Sequence, residues 1–229
     1  MIAGATRLVG LIGQPVAGSL SPRMQNAAFA ARGLDWAYVP LPVEAGRLEA
    51  GIAGLVALGF AGANVTAPYK LEAARLCEAV EPSVNTLVIR GGELEAHSTD
   101  AAILAQVTDC YKPVVLGGGG AATAFLEALP RAVRYCRSGG WPPEAEDADL
   151  IVNATSEREQ VLVRLGPGQT LIDLPYPETA TAVAARQAGA EVISGLEVLV
   201  AQGAASFELW TELPAPVEVM RRALGLPSA

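Results

Sequence analysis

The sequence predicts an α/β protein with two domains. Short apolar runs alternate with helical patterns through the first hundred residues, which is typical of an α/β layer with a mainly parallel sheet. A second alternation starts at Tyr111, and the 229 residues suffice for one large or two small domains. A glycine-rich loop between a strand and a helix in the second half indicates a dinucleotide-binding unit. We expect the boundary near residues 101–110.

In the first half, the opening strand is the apolar run Arg7–Gly13, which ends where glycine and Pro15 break the pattern. A helix follows from Ser21 to about residue 31, with Ser21 as N-cap and Pro22 at the first helical position. The Gly91-Gly92 turn predicts a hairpin. The other expected elements are strands at 36–43, 62–66, 85–89 and 94–97 and helices at 44–58, 68–80 and 101–109.

In the second half, a short apolar strand at 113–116 runs into four consecutive glycines, and a helix follows at 121–129. Strand, glycine-rich loop, helix and strand in this order open a dinucleotide-binding unit. The other expected elements are strands at 132–137, 149–153, 170–174 and 191–194 and helices at 179–188 and 196–210.

The composition excludes several classes of protein. With 16 basic and 24 acidic residues, the net charge is −8, and 51% of the residues are hydrophobic. A disordered chain needs denser charge, and nucleic-acid binding depends on basic side chains that meet phosphates. The uncharged stretch 50–69 contains several glycines and Pro68, so it is too broken to span a membrane. The sequence also begins without a signal-peptide pattern, so we expect a cytoplasmic protein.

Metal chemistry has almost no ligands available in this sequence. The three cysteines, Cys77, Cys110 and Cys136, are far apart, and His97 is the only histidine. Zinc sites draw on close pairs of cysteine and histidine. We therefore expect no metal site and interpret the cysteines as small buried hydrophobic residues.

The strongest binding motif is Gly117-x-Gly119-x-x-Ala122, between a strand and a helix. Its glycines allow a tight turn and a close approach of backbone to pyrophosphate, which faces the helix N-terminus. An NAD site would place an acid about 20 residues on, whereas Arg137 and Ser138 stand there and favour the 2′-phosphate of NADP. The alternatives are a glycine loop that binds nothing and a solvated arginine.

Lysine is rare in this chain, which has 14 arginines and only Lys70 and Lys112. Arginine stays protonated at any working pH, whereas lysine can release its proton when its surroundings lower the pKa. Lys70 lies at the end of a predicted strand in the segment Asn-Val-Thr-Ala-Pro-Tyr-Lys. It is therefore either a proton-transfer group or a surface lysine.

These segments also carry a resemblance to the shikimate dehydrogenase family. The segment of residues 64–70 resembles the family motif N-V-T-x-P-x-K, and residues 19–22 (Ser-Leu-Ser-Pro) resemble S-x-S-P. Further similar motifs follow in family order at residues 84–86, 98–100, 117–121, 149–155, 173–176 and 195–210. Together they span nearly the whole chain, so the match is far more specific than any single motif.

The resemblance implies reversible, NADP-linked reduction of 3-dehydroshikimate to shikimate in aromatic amino-acid biosynthesis. It implies a substrate-binding domain of residues 1–101, a Rossmann-like NADP-binding domain of residues 102–202, C-terminal helices over about 203–229 that return to the first domain, and a cleft between the domains. Lys70 and Asp100 would be the catalytic pair. The substrate residues would be Ser19, Ser21, Asn64, Thr66, Asn85, Tyr176 and Gln202. The cofactor residues would be Gly117, Gly118, Gly119, Gly120, Ala121, Arg137, Ser138, Asn153, Thr155, Leu174 and Gly195.

Several of these residues also have a purely structural interpretation. Ser21 and Asp100 could be helix N-caps, Asn153 and Thr155 could end a strand, and Tyr176 could belong to the core. The chain also departs from the family where residues 137–149 are much shorter than usual, and with Gly139-Gly140 we expect no second basic residue near Arg137.

Besides an α/β oxidoreductase that acts on another hydroxy acid, three functions remain open at this point. The first is an NADP-dependent shikimate dehydrogenase, either monomeric or homodimeric. The second is a quinate/shikimate dehydrogenase that uses NAD. The third is a sensor that binds a shikimate-like acid or a dinucleotide without catalysis. Neither nucleic acid nor a membrane is expected as a partner.

Overall fold

The computed structural model describes residues 2–107 and 110–227. Within these residues the chain forms two compact units, one of residues 2–99 and 199–227 and the other of residues 100–198. Each unit contains one five-stranded sheet. The predicted α/β class is confirmed.

The sheet of the first unit is mixed. Its strands are β1 (Arg7–Gly13), β2 (Trp36–Pro42), β3 (Gly62–Val65), β4 (Thr86–Arg90) and β5 (Glu93–His97). They lie in the order β2-β1-β3-β4-β5. The first three are parallel, whereas β4 is antiparallel to both β3 and β5. The hairpin predicted at Gly91-Gly92 is confirmed, and both glycines have positive φ, which glycine adopts without strain.

Three helices belong to the first half of the chain: α1 (Ser21–Ala31), α2 (Leu48–Ala57) and α3 (Lys70–Leu76). The predicted N-cap of α1 was wrong, because Leu20 takes the cap position and Ser21 is already helical. Residues 44–47 form a turn rather than the start of α2. α3 ends early because Glu78 adopts positive φ and the N–H of Ala79 bonds to the carbonyl of Ala74, a common helix stop.

The sheet of the second unit is entirely parallel. Its strands are β6 (Pro113–Leu116), β7 (Val133–Tyr135), β8 (Leu150–Asn153), β9 (Thr170–Asp173) and β10 (Glu191–Ile193), in the order β10-β9-β8-β6-β7. The helices α4 (Gly120–Ala128) and α5 (Ala180–Gln187) connect strands of this sheet. The helix predicted at 101–109 was too long: Ala102–Gln106 is a short 3₁₀ helix, and residues 108 and 109 lie outside the described residues.

The crossover from β7 to β8 has no helix. Residues 136–149, all of which are described, contain no helix or regular strand and only an isolated bridge between Cys136 and Gly139. Parallel crossovers of this kind usually contain a helix that covers the sheet. Here Ala145 and Ala148 are buried in the core of the unit, so irregular backbone contributes part of that cover.

Two C-terminal helices complete the fold: α6 (Gly195–Thr211) and α7 (Val217–Ala223). α6 starts in the second unit and ends in the first, where α7 packs on α1. The ring of Phe207 stacks on Phe29 at 5.5 Å between centroids, and both residues are fully buried. The indole N–H of Trp210 donates to the carbonyl of Leu87 at 2.9 Å. Apolar packing against α1 and a buried hydrogen bond to β4 therefore both hold α6 in the first unit.

No helix in the described parts of the chain combines the length and apolar character needed to cross a bilayer.

The packing of α6 on the sheet leads to a prediction about Gly62. A Cβ at Gly62 would overlap the carbonyl oxygen of Leu87 and the indole of Trp210. We expect Gly62→Ala to lower the free energy of unfolding by about 1–3 kcal/mol, the usual cost of overpacking. A Cβ at Gly54, within α2, meets no atom within 4 Å.

The matched control Gly54→Ala should therefore stabilise the protein by roughly 0.5–1 kcal/mol. Urea unfolding followed by circular dichroism measures both variants. Equal effects of the two substitutions would contradict the packing argument.

Candidate active site

Most of the predicted substrate residues lie at one edge of the first sheet. Because β4 is antiparallel to β3 and β5, its amino end meets the carboxyl ends of β1, β3 and β5 at this edge. Ser19 and Ser21 follow β1, Thr66 and Lys70 follow β3, Asn85 precedes β4, and Thr99 and Asp100 follow β5. Loops at the carboxyl ends of parallel strands are the usual place for ligands.

Asn64 lies inside this edge and is 5% exposed. Its side-chain oxygen accepts a hydrogen bond from the hydroxyl of Tyr38 at 2.8 Å. Its amide donates to the carbonyl of Asn85 at 2.9 Å and to the hydroxyl of Ser206 at 3.1 Å. The carboxamide therefore links three strands and α6, which fixes its orientation before any ligand arrives.

Asn85 connects the sheet edge to α6. Its amide donates to the hydroxyl of Thr99 at 2.9 Å and to the side-chain oxygen of Gln202 at 3.1 Å. Its side-chain oxygen accepts the backbone N–H of Thr99 at 2.7 Å. Asp100, the residue after Thr99, is 7% exposed. The network therefore fixes both Gln202 and the backbone that leads to Asp100.

Ser206 is the hub of this network, and the sequence did not reveal it. Its hydroxyl donates to the carbonyl of Gln202 at 2.9 Å and lies 2.8 Å and 3.1 Å from the hydroxyls of Thr86 and Thr99. Ser206 is fully buried. The one available signal was its position four residues after Gln202, on the same face of a helix. Thr99 was also missed as a candidate, although it lies within the Ser-Thr-Asp motif.

The two serines belong to a separate, smaller arrangement. The backbone N–H of Ser21 donates to the hydroxyl of Ser19 at 3.2 Å. One turn further along α1, the amide of the fully buried Gln25 donates to the carbonyl of Gly203 at 2.8 Å. This bond joins the helix that carries Ser21 to the helix that carries Gln202, and no motif in the sequence indicates it.

Lys70 is the first residue of α3 and is half-buried. The N–H of Val84 donates to its backbone carbonyl at 3.2 Å, so the residue is tied to the segment just before Asn85. Thr66 is also half-buried, and its N–H donates to the carbonyl of Ile12. Sequence and structure together place both residues directly after β3.

The predicted cofactor loop follows β6 in the second unit. Gly117 has φ of +133°, and a Cβ there would lie 2.9 Å from the carbonyl oxygen of Ala154, so the turn requires glycine. A Cβ on Gly119 would meet no atom within 4 Å, so its backbone is open to a ligand. Gly120 and Ala121 start α4, which has no side-chain cap. Its first amides remain suited to an anion.

A cavity of 660 Å³ lies beside this loop. It is lined by residues 117–119, 136–138, 154–157, Trp141, Gln160 and Leu162. This cavity is lined by six of the predicted cofactor residues: Gly117, Gly118, Gly119, Arg137, Ser138 and Thr155. Asn153, Leu174 and Gly195 do not line it.

Asn153 lies buried behind the cavity. Its amide donates to the carboxylate of Asp173 at 2.7 Å, and its side-chain oxygen accepts the hydroxyl of Thr155 at 2.8 Å. Asp173 also accepts the N–H and hydroxyl of Thr179. These bonds join the ends of β8 and β9 to the start of α5 and orient Thr155 toward the cavity loop.

The segments that follow β9 and β10 contain the remaining predicted residues Leu174, Tyr176 and Gly195. A Cβ on Gly195 would overlap the carbonyl oxygens of Leu174 and Pro175, so α6 must start with glycine at this point. Tyr176 is half-buried, and its carbonyl accepts a hydrogen bond from Arg158 at 2.6 Å. Its phenol is therefore not part of the buried core.

The site fits a dinucleotide better than a metal. The glycine turn and the uncapped helix match a pyrophosphate, and Arg137 in the cavity lining matches a ribose phosphate. Across the described residues, no group of three or more histidine, cysteine, aspartate or glutamate side chains could hold a metal ion. Fold and site together define an α/β oxidoreductase with a dinucleotide-binding unit and a separate polar substrate edge.

Comparisons with known proteins agree with this class. Residues 11–87 match the shikimate dehydrogenase substrate-binding domain, and residues 195–224 match the shikimate 5′-dehydrogenase C-terminal domain. A shikimate dehydrogenase (NADP(+)) of Anaeromyxobacter sp. (strain Fw109-5) is 38% identical over 99% of each chain. The chain belongs to the shikimate dehydrogenase family.

Solved structures give the same result for the whole fold. A crystal structure of a shikimate dehydrogenase in complex with NADP⁺ has a TM-score of 0.89 at 29% identity, covering 98% of this chain and 96% of that one. The shikimate 5-dehydrogenase of Thermus thermophilus in complex with NADP(H) and shikimate has a TM-score of 0.83 at 27% identity, covering 95% and 98%. The similarity therefore extends over both units.

Ser206 yields a prediction about the substrate edge. Ser206→Ala would remove one hydrogen-bond partner from each of Asn64, Thr86 and Thr99, so three buried hydrogen bonds of the network would be lost. We expect the free energy of unfolding to fall by about 1–3 kcal/mol. Urea denaturation measures the change. An unchanged unfolding midpoint would show that the network does not depend on this hydroxyl.

Asp173 yields a prediction about pH. Burial raises the pKa of its carboxyl, although hydrogen bonds from Asn153 and Thr179 oppose the rise. The folded protein therefore retains the proton at pH values where the unfolded chain has lost it. The stability contributed by this proton is complete below the unfolded pKa of about 4 and is lost as pH rises through the higher folded pKa.

In the Asp173→Asn variant the side chain at position 173 cannot ionise, so the free energy of unfolding lacks the pH dependence that Asp173 contributes. We expect wild type to gain stability relative to the variant as pH falls from 7 toward 4. Urea midpoints at several pH values measure the difference. A constant difference between the two proteins would contradict a raised pKa.

Proposed function

We propose that the protein is an NADP-dependent shikimate dehydrogenase that reversibly reduces 3-dehydroshikimate to shikimate in aromatic amino-acid biosynthesis. The observation that carries the proposal is 38% identity to an NADP-dependent shikimate dehydrogenase over essentially the whole of both chains. The arrangement of Asn64, Asn85 and Gln202 at one sheet edge supports it. We further propose that the protein acts in the cytoplasm as a monomer or homodimer.

The proposed chemistry needs a hydride donor and a proton donor. Bound NADPH supplies the hydride. As the ketone is reduced, its oxygen gains negative charge, and the Lys70 ammonium stabilises that charge and donates the proton. The Asp100 carboxylate holds the ammonium and accepts a hydrogen bond from the same hydroxyl. A positioned proton donor typically contributes about 10²–10⁴-fold to the rate.

The proposed substrate contacts divide into two groups. Ser19 and Ser21 bind the substrate carboxylate through their hydroxyls. Thr66, Tyr176 and Gln202 bind the carboxylate or ring hydroxyls, together with the two asparagines. Because Asn64 and Asn85 already bond to protein through both ends of their carboxamides, they present a preorganised edge that loses little freedom on binding.

The proposed cofactor contacts follow the cavity and the glycine turn. Gly117, Gly118 and Gly119 let the backbone approach the pyrophosphate, and Gly120 and Ala121 present the first amides of α4. Arg137 and Ser138 bind the ribose phosphate, and Thr155 lines the same cavity. We propose that Asn153, Leu174 and Gly195 support the cofactor through the backbone they position.

The decisive test is dehydrogenase activity with Lys70→Ala. Purified protein is mixed with shikimate and either NADP⁺ or NAD⁺, and the absorbance of the reduced cofactor is followed. We expect turnover with NADP⁺, and we expect Lys70→Ala to lower kcat by about 10²–10⁴-fold. Lys112, the only other lysine, is 67% exposed and serves as the control. Lys112→Ala should leave kcat unchanged.

Other results would select among the alternatives. Turnover with NAD⁺ alone would favour the quinate/shikimate dehydrogenase interpretation. Binding of shikimate without turnover on either cofactor would contradict the enzyme assignment and favour a sensor. An equal loss in both lysine variants would contradict the role of Lys70.

A further inference from the structure

Arg137 alone is a weak anchor for a ribose phosphate. Its side chain is 85% exposed, and its guanidinium lies 3.7 Å from the carboxylate of Glu157. Gly139 and Gly140 follow it, so the shortened loop provides no cation after Arg137. An exposed ion pair at this distance contributes little and reorients readily. Any further charge beside the same cavity therefore matters for the binding of a ribose phosphate.

Glu157 is a fixed negative charge on the wall of that cavity. One of its carboxylate oxygens accepts the backbone N–H groups of Arg158, Glu159 and Gln160 at 3.0, 2.9 and 3.3 Å. These bonds, that of Glu159 foremost, hold the pKa of the carboxyl below its usual range. Its other oxygen faces Arg137. Glu157 therefore favours its ionised form and places a negative charge on the wall of the cavity that Arg137 also lines.

Arg134, which precedes the loop of residues 136–138, provides a second cation. It lies on β7, and its guanidinium donates from Nε to the carbonyl of Gly117 at 3.2 Å. One of its terminal nitrogens is 3.0 Å from the place where a Cβ on Gly118 would be. Arg134 and Cys136 project from the same side of the strand, because side chains alternate along it.

The charge of Arg134 also affects the pKa of the Cys136 thiol. Its pKa is lowered by a hydrogen bond to Ser138 and, to a smaller extent, by the charge of Arg134. The hydrogen bond to Gly117 and the approach to Gly118 place the guanidinium of Arg134 against the glycine turn. A dinucleotide-binding unit places the adenosine ribose at this point, beyond the end of the second strand.

We propose that Arg134 and Glu157 set the preference between NADP and NAD, with Arg134 as a second cation for the 2′-phosphate and Glu157 as the opposing charge. This inference rests on the proposed function and specifies its cofactor. A 2′-phosphate gains from both arginines and is repelled by Glu157. A 2′-hydroxyl gains little from the arginines, and an acid at such a site can accept its hydrogen bond.

The test is direct binding to the full-length protein by titration calorimetry, with NADP⁺ and NAD⁺ as separate ligands. We expect Arg134→Met to weaken NADP⁺ binding by about tenfold or more, the size of one charge-assisted hydrogen bond. We expect it to change NAD⁺ binding by less than about twofold, since the 2′-hydroxyl is uncharged. We expect Glu157→Gln to strengthen NADP⁺ binding and to leave NAD⁺ binding unchanged or weaker.

Two further variants and a smaller ligand pair sharpen the comparison. Arg131→Met is the matched control, because Arg131 lines a different cavity with Tyr111 and Lys112. It should leave both affinities unchanged. Arg134→Lys keeps the charge and should retain part of the NADP⁺ preference. Adenosine 2′,5′-bisphosphate against AMP should repeat the pattern of the whole dinucleotides, because these two ligands also differ by the 2′-phosphate.

The outcomes separate this inference from the proposed function. If Arg134→Met weakens NADP⁺ and NAD⁺ equally, Arg134 only shapes the glycine turn, and the inference is wrong. If it changes neither affinity while wild type turns over shikimate, the inference fails and the proposed function stands. If wild type binds neither dinucleotide, both fail. Weaker NADP⁺ binding in Glu157→Gln would also overturn the opposing role of Glu157.

Discussion

The first unit depends on one buried hydroxyl, that of Ser206. It lies within hydrogen-bonding distance of Asn64, Thr86 and Thr99 at once. These residues come from β3, from the start of β4 and from the segment after β5, so the hydroxyl joins three separate parts of the chain to α6. Buried polar groups are costly unless every partner is in place. The network therefore favours one relative position of the sheet edge and α6.

The residues of this network are uncharged, whereas the proposed reaction takes place between charged groups. Its members do not ionise at working pH, so they hold their geometry whatever the protonation of the proposed Lys70 and Asp100 pair. Asn85 holds Thr99 by both its backbone and its hydroxyl, and Asp100 is the next residue. The backbone leading to the proposed Asp100 carboxylate is therefore held by neutral hydrogen bonds, which do not change when the proposed Lys70 donor releases its proton.

The sequence predicted the class of fold and most of its elements because their signals are local. The strands at 7–13 and 113–116 are apolar runs, and the Gly91-Gly92 turn needs only two residues to be recognised. Where the prediction failed, the cause lay elsewhere in the chain or in backbone conformation. α3 stops early because Glu78 adopts positive φ, which no apolar pattern reveals. Ser21 proved to be helical rather than a cap, because the chain already turns at Leu20.

Sequence motifs are local signals too, so they predicted only part of the candidate site. Motifs located the predicted substrate and cofactor residues, most of which follow strands. They did not locate the partners that hold those residues: Ser206 is 142 positions from Asn64, and Gly203 is 178 positions from Gln25. Arg134 was missed for a related reason. The glycines after Arg137 led to the prediction that no second basic residue lies nearby, whereas Arg134 is three residues earlier, on β7.

Two features of the second unit compensate for the short segment between β7 and β8: one completes the core, and the other provides positive charge. Ala145 and Ala148 bury irregular backbone against the sheet, so the unit retains a core without a helix between β7 and β8. The loss of that segment also removes positions from which a cation could reach the ribose. An arginine on β7 restores positive charge there, because the last strand residues and the glycine turn converge at the carboxyl edge of the sheet. In a parallel sheet this convergence is fixed by topology, so it persists even when the connecting segment is short.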